Sequence, residues 1–344
     1  MLRSYTKLLE DVERKVAEAV NGGVRAIASK FGYLEYMIVR YHEILGDWSE
    51  VVELLRAFEK PLVKAIRVNT LRFKSVAEVV ERLEKLGYEF SKIPWDRHSY
   101  TVVRAGRVSL GATHEFLLGG YYPYRGLASL IPPLALEPRE LDRVLDSAAA
   151  PGGKTTHLAQ LMGNSGLILA TDVSRERFRA LRTNLERMGV ENVVAIRIDS
   201  RRIPEIFGEY FTKSLLDAPC TGEGIIQLDP SRKTKTSFED LVRAHKKQVE
   251  LLTATVHSTA PGGRVVYSTC SIAPEENEFT IAEVLESLGG VRIVSPSISL
   301  DLEPGVTEYF GIRLSDQLKL CGRTYPHKQG FEGFFVCVLE KERK

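Results

Sequence analysis

The chain has 344 residues, of which 44% are hydrophobic and 27% charged, and a formal net charge of +2. That length predicts about two domains with a substantial buried core, and no run of about 18 apolar residues offers a transmembrane span. The near-neutral balance excludes a molecule that binds nucleic acid with its whole surface, so any such contact must be a local patch.

The opening stretch, MLRSYTKLLEDVERK, is too charged for the apolar centre of a secretory signal, and a cytoplasmic protein is expected. Residues 1–60 read as helical. Leu8, Leu9, Val12, Val16 and Val20 recur near helical spacing, and Asn21-Gly22-Gly23 is predicted to close that first helix. A second helix is predicted from near Leu34 and a third after Gly46-Asp47. This segment shows no chemistry and reads as a core-forming cap.

Residues 61–135 read as a small α+β module with a linker. Lys64 to Asn69 is a predicted strand, and Ser75 opens a helix with Glu78 at capping-box spacing. Val76, Val79, Val80, Leu83 and Leu86 form its apolar face, Gly87 ends it, and Tyr88 to Phe90 is a second strand. Strand, helix, strand fits an RRM-like or ferredoxin-like unit. The aromatic strand signature with which a typical RRM stacks bases is missing. Gly111 to Pro138, rich in Gly, Pro and Tyr, reads as a linker.

From 136 to 344 strands and helices alternate, the pattern of an α/β domain with a doubly wound, mostly parallel sheet. Strands are predicted at Arg143 to Ala148, Leu167 to Asp172, Val193 to Asp199, Lys213 to Asp217 and Gly263 to Thr269. A helix from Ser174 to Met188 buries Phe178, Leu181, Leu185 and Met188. The late apolar run from Gly333 to Leu339 supplies an edge or antiparallel strand.

Ligands of such sheets bind beyond the carboxyl ends of the strands, and polar residues stand there. The first strand ends at Asp146 and runs into Ala148-Ala149-Ala150-Pro151-Gly152-Gly153-Lys154, whose small residues let a ligand approach the backbone. Gly153-Lys154-Thr155 matches the end of a phosphate-binding P-loop, but Ala148 stands where that loop needs glycine. Asp172 ends the second strand, where a carboxylate can accept both hydroxyls of a ribose, and Asp199 ends the third, within reach of an adenine amino group. Strand-end aspartates also cap helices, yet three in succession beside a glycine turn favour a bound nucleoside.

The fourth strand runs into Asp217-Ala218-Pro219-Cys220 and the fifth into Ser268-Thr269-Cys270-Ser271, with Pro274-Glu275-Glu276 opening a helix. Two neighbouring strand ends thus each offer a cysteine to one crevice. A buried cysteine is usually a small hydrophobe, but a loop cysteine near a helix N-terminus is placed to react as a thiolate. The four cysteines, with Cys321 and Cys337, are too scattered for a disulfide framework, and none forms a CxxC zinc pair.

Together, Asp146 to Thr155, Asp217-Ala218-Pro219-Cys220 and Ser268-Thr269-Cys270-Ser271 resemble the signature motifs of the Nop/Sun (RsmB-like) RNA cytosine-5 methyltransferases. The resemblance runs from about Lys64 to Lys341 and includes Arg323-Thr324-Tyr325-Pro326 and Gly333-Phe334-Phe335. It departs at Ala148, where the family usually has cysteine, and before Ala128-Ser129, where Tyr124-Arg125-Gly126 replaces a Gln-Asp type element.

The resemblance implies a Rossmann-like class I methyltransferase domain with a seven-stranded sheet, using S-adenosylmethionine and RNA, with tRNA expected ahead of rRNA. It implies Cys270 as the nucleophile at carbon 6 of cytosine, Asp217 at ring N3 and the amino group, and Cys220 in product release. Lys154 would steady Asp217. The donor site it implies is Ala148, Ala149, Ala150, Pro151, Gly152, Gly153 and Lys154 with Asp172, Arg177, Asp199 and Asp217. DNA cytosine-5 methyltransferases use the cysteine of a Pro-Cys motif, which here is Cys220; the second motif, at Cys270, favours the RNA family. Ser231 to Lys235 and His245-Lys246-Lys247 are candidate phosphate contacts. No metal or membrane partner is expected, and a monomer is the default. A methyltransferase acting on protein or a small molecule would share the fold but has no need of two crevice cysteines. An RNA-binding factor without activity would not need Asp217, Cys220 and Cys270 intact.

Overall fold

The computed structural model describes residues 4–343; positions 1–3 and 344, which fall inside the outermost expected domains, lie outside the described residues. Four helices come first: α1 (Tyr5–Glu18), α2 (Gly22–Phe31), α3 (Glu35–Leu45) and α4 (Trp48–Phe58). The extra helix, α2, begins where α1 was expected to be closed. Asn21 accepts the backbone N–H groups of Gly23 and Val24, so it caps the start of α2. Asn and Gly serve either end of a helix; burial of Val24 and Ala28 shows which end they serve here. Leu9, Val12, Met37, Ile38 and Leu54 share one hydrophobic cluster with Leu252 and Phe279, near the far end of the chain.

Next, β1 (Ala65–Val68), α5 (Val76–Lys85), β2 (Glu89–Lys92), β3 (Ser99–Arg104) and β4 (Tyr121–Tyr124) form an antiparallel sheet, ordered β2-β3-β1-β4, with one helix. Val79, Val80 and Leu83 of α5 pack against Ile66, Val68 and Tyr121. Ser75 accepts the N–H of Glu78, as its spacing predicts, while the Glu78 carboxylate turns to Arg82. Neither β3 nor β4 was expected, and β4 lies in the stretch read as a linker. Its Pro123 argues against a strand in a sheet interior, but β4 is an edge strand paired only with β1. The same stretch holds two short helices, α6 (His114–Leu117) and α7 (Ile131–Leu136).

The largest sheet contains β5 (Arg143–Asp146), β6 (Leu167–Thr171), β7 (Val193–Ile196), β8 (Phe211–Asp217) and β9 (Thr259–Thr269), parallel in the order β7-β6-β5-β8-β9. All five were legible as apolar runs, with ends displaced by a few residues. They are followed by β10 (Val291–Val294), β11 (Glu303–Pro304), the hairpin of β12 (Glu308–Tyr309) and β13 (Ile312–Arg313), β14 (Gly322–Thr324) and β15 (Phe334–Lys341). β15 lies antiparallel beside β9, and β10 and β14 share its other edge. The six runs expected as strands are β7, β6, β5, β8, β9 and β15; β10, which no expected run covered, β14 and β11 extend the sheet to nine strands, where the resemblance implied seven. The fold is thus the Rossmann-like α/β arrangement expected.

The helices of this part are α8 (Gly153–Leu161), α9 (Arg175–Met188), α10 (Ile203–Phe207), α11 (Arg232–Lys235), α12 (Phe238–Ser258), α13 (Glu278–Leu288) and α14 (Pro326–Gln329). α12 opens with a full capping box between Ser237 and Asp240 and buries Leu241, Leu252 and Val256. A reading led by its lysines missed it. Because β5, β6, β7, β8 and β9 run the same way, their carboxyl ends lie along one edge of the sheet, and the candidate residues lie there.

Candidate active site

The turn after β5 brings the backbone to the crevice. Gly152 has φ 103°, a conformation that glycine adopts without strain, and α8 starts one residue later. Asp146 borders a smaller cavity beside Tyr122, Tyr124 and Lys154 instead of the crevice that holds Asp172 and Asp199. It is 1% exposed, accepts a 2.7 Å hydrogen bond from Thr155 Oγ1, and burial pushes its carboxyl up to about 7.

Asp172, just past β6, takes the N–H of Ser174 at 2.9 Å and that of Ala150 at 3.3 Å, which ties the glycine turn to the next strand end. Arg177 donates to the carbonyl of Ala150 and lies 3.8 Å from Asp172. Asp199 also lines the crevice, but Arg201 grips it at 2.5 Å, and those hydrogen bonds hold its carboxyl below the usual range. The cavity between them is about 570 Å³ and extends from Ser147, Asp172 and Asp199 to Asp217, Cys220 and Cys270. Ser200, Arg201 and Leu251 line it without having been singled out. A second cavity of about 280 Å³ opens on the other side of Asp217, between Tyr122, Tyr124 and Lys154.

At the ends of β8 and β9 the chemistry converges. Cys220 and Cys270 are half-buried, with their sulfurs 3.2 Å apart. Asp217 accepts from Lys154 Nζ at 2.6 Å and from Ser268 Oγ at 2.8 Å. Burial opposes the charge on Lys154, but Asp217 and Cys270 outweigh it and hold its pKa above the ordinary value. The hydrogen bond to Cys270, burial, and the negative charge of Cys270, Glu276 and Asp217 push the Cys220 thiol well up. Either sulfur can be the donor between them, so both thiols share one contact at the neighbouring strand ends.

The replacement at Tyr124-Arg125-Gly126 has a local reason. The buried carboxylate of Glu332 accepts the N–H groups of Leu127 and Ala128 at 2.9 and 2.8 Å, and a Cβ at Gly126 would meet it at 2.1 Å. Glu332 thus holds this turn in place, and its one signal in the sequence was its position before Gly333-Phe334-Phe335.

The basic candidates divide. Arg232, Lys235 and Lys247 border the opening beside Cys220. Lys233 instead pairs with Glu59 and reaches the carbonyl of Phe31, and His245 is buried against Glu283 and Glu275. Those two are structural, because their elements pack on α13 and on the N-terminal helices. One disulfide joins Cys321 to Cys337, where sequence spacing predicted no framework; pairing of β14 with β15 brings these distant positions together. Among the described residues, no helix is long and apolar enough to cross a membrane, and no group of three or more His, Cys, Asp or Glu is placed to hold a metal ion.

Residues 133–340 match the family model of 16S rRNA methyltransferase RsmB/F, and residues 35–123 match the N-terminal domain of 16S rRNA methyltransferase RsmF. The chain is 35% identical over 332 residues to a 28S rRNA (cytosine-C(5))-methyltransferase of Mus musculus, covering 95% of this chain and 41% of that protein. The chain spans about half the length of the curated relatives it matches. Among solved structures, a methyltransferase homolog from Pyrococcus horikoshii superposes with TM-score 0.83 at 38% identity, over 94% of this chain and all of that one. NSun6 from Pyrococcus horikoshii with SFG gives TM-score 0.75 at 26% identity, over 88% of this chain and 97% of that one.

Proposed function

This chain belongs to the RsmB/F methyltransferase family, and from that premise we propose that it methylates carbon 5 of a cytidine in RNA, using S-adenosylmethionine and Cys270 as nucleophile. The observation that carries the reading is the pair of thiols 3.2 Å apart beside the Lys154–Asp217 ion pair. A methyltransferase acting on protein or a small molecule has no use for such a pair.

S-adenosylmethionine supplies an electrophilic methyl group on a sulfonium. The residues fit it: the 570 Å³ cavity is of ligand size, Asp172 stands where a ribose is held, and the Ala148 to Gly153 turn leaves room at the backbone. Carbon 5 of cytosine is a poor nucleophile until carbon 6 is attacked. The Cys270 thiolate adds to carbon 6, and the ring electrons pass to carbon 5 as an enamine. Asp217, steadied by Lys154 and Ser268, faces ring N3 and the amino group and stabilises the charge that develops. After methylation the carbon-5 proton passes to a base in the crevice, Cys220 or a water, the carbon–hydrogen electrons re-form the double bond between carbons 5 and 6, and the sulfur–carbon-6 bond breaks with its electron pair returning to Cys270. Cys220, close enough to exchange a proton with Cys270, assists that release. The target base must leave any stack to reach these thiols.

Arg232, Lys235 and Lys247 at the mouth offer phosphate contacts. The curated relatives are named for rRNA, so rRNA comes before tRNA in the order of substrates to assay. The test is RNA carrying 5-fluorocytidine, incubated with the donor and run on a denaturing gel. Retention of the covalent complex in Cys220→Ala and its loss in Cys270→Ala is the expected result. The reverse pattern moves the nucleophile to Cys220. No complex with wild type on rRNA or tRNA sinks the cytidine reading.

A further inference from the structure

The thiols belong to the large sheet, yet a residue of the N-terminal helices holds their two loops together. Arg40 of α3 is fully buried and donates from Nε and Nη2 to the two oxygens of Glu275, at 2.9 and 2.7 Å. Its Nη1 donates to both oxygens of Glu223, at 3.2 and 3.1 Å. Glu223 stands three residues after Cys220, and Glu275 stands five after Cys270. One guanidinium therefore ties both cysteine loops from behind.

The surrounding contacts make that tie specific. Tyr309 OH donates to Glu275 at 3.1 Å, and Gly224 N–H donates to the carbonyl of Cys270 at 3.0 Å. Glu276 accepts the N–H and hydroxyl of Thr221, at 2.8 and 2.6 Å. On its own side, α3 is anchored by Met37, Ile38 and Tyr41, all fully buried. Without Arg40, two buried carboxylates would lose the cation they share, a costly arrangement that loop separation or protonation relieves. Either response alters the seat of the thiols.

We propose that Arg40 is a positioning residue for the reaction: its fork to Glu223 and Glu275 sets the separation of Cys220 and Cys270. The kinetic part of this rests on the cytidine reading above, whereas the geometric part does not. A purely structural arginine would change stability and leave the thiol spacing of the folded molecule alone.

The experiment uses the full chain with Cys321 and Cys337 oxidised, and dibromobimane as a probe that fluoresces on bridging two close thiols. Three variants are compared with wild type: Arg40→Lys, Arg40→Met, and Arg40→Met with Glu223→Gln and Glu275→Gln. The triple variant leaves no buried carboxylate unpaired. It is expected to stay folded and to bind S-adenosylmethionine within about twofold of wild type, because the clamp lies away from the donor cavity. Bridging of Cys220 to Cys270 and kcat on RNA are each expected to fall about tenfold or more, with KM for RNA little changed, as displacement of reacting groups predicts. Arg40→Lys is expected to fall between, since an ammonium lacks the planar fork.

A folded triple variant that bridges its thiols at the wild-type rate overturns the proposal, and so does one that loses bridging but keeps its kcat. Should only Arg40→Lys fold, wild-type bridging and kcat in that variant overturn it equally. If bridging responds to Arg40 while wild type methylates no RNA, the clamp stands and the cytidine reading falls.

Discussion

Behind the loops of Cys220 and Cys270 the charged groups are buried, whereas across the crevice Arg177 and the Asp199–Arg201 pair reach toward the surface beside a buried Asp172. Arg40, Glu223, Glu275 and Glu276 are each no more than 1% exposed. The side chain of Arg177 is 53% exposed, and Asp199 pairs with an Arg201 that is 48% exposed. The difference follows from what each side must do. A thiol that attacks one carbon needs its position fixed to a fraction of an ångström, and only a dry, fully bonded network gives that. A donor held by many contacts tolerates a softer wall, since each contact contributes a little.

Substitutions on the reacting side should therefore reduce turnover, and those on the donor side should weaken binding. The largest effect expected here is Asp217→Asn, which keeps the shape but loses the charge held by Lys154. Its kcat should fall about 100- to 1,000-fold, a larger change than any in its donor affinity, measured by steady-state methyl transfer and by calorimetry. Asp172→Ala should do the converse, raising KM for the donor about tenfold or more with kcat nearly intact, as loss of a charged hydrogen bond to a ribose predicts. A fall in kcat alone would erase the distinction between the two sides.

A third expectation concerns Asp146, the buried strand-end carboxylate. Its folded pKa of about 7 lies above the ordinary 3.8 because burial disfavours the charge. Between those values the unfolded chain has released its proton and the folded chain still holds one. This group's contribution to stability is therefore full below about pH 4, fades as pH rises, and is gone above about pH 7, a change on the order of a few kcal/mol. Asp146→Asn should lack that decline. The difference in Tm between variant and wild type should grow in favour of Asn from about pH 4 to pH 7 and then level; a constant difference would contradict the assignment. The smallest effect is reserved for Arg201→Ala. Exposed ion pairs contribute about 0–1 kcal/mol, so Tm should hardly move and donor KM should change less than about fivefold.

The regions preceding the large sheet differ in how well they could be read. The strand–helix core of the module at 65–104 was visible because Val79, Val80 and Leu83 repeat within one turn and Ser75 marks the start. Its edge strand at Tyr121–Tyr124 was not, since Pro123 disqualifies a central strand and only the sheet order shows that β4 is an edge. The helical segment was recognised as helices but assigned no chemistry. Nothing near Arg40 in sequence announces that its partners lie 183 and 235 residues away.

By itself, the sequence determined the fold class, the order of the parallel strands' apolar runs, the aspartates at their ends and the two cysteine motifs. Each of these is encoded within about ten neighbouring residues, where periodicity and turn chemistry act directly. Tertiary structure alone decided that Asp146 is buried, that Arg201 occupies Asp199, and that Lys233 and His245 serve packing. It also joined Cys321 to Cys337 and brought Glu332 to the turn at Gly126 and Arg40 to the two thiol loops. Those outcomes depend on which distant surfaces meet when the core closes, because a buried charge takes whatever partner the packing brings to it.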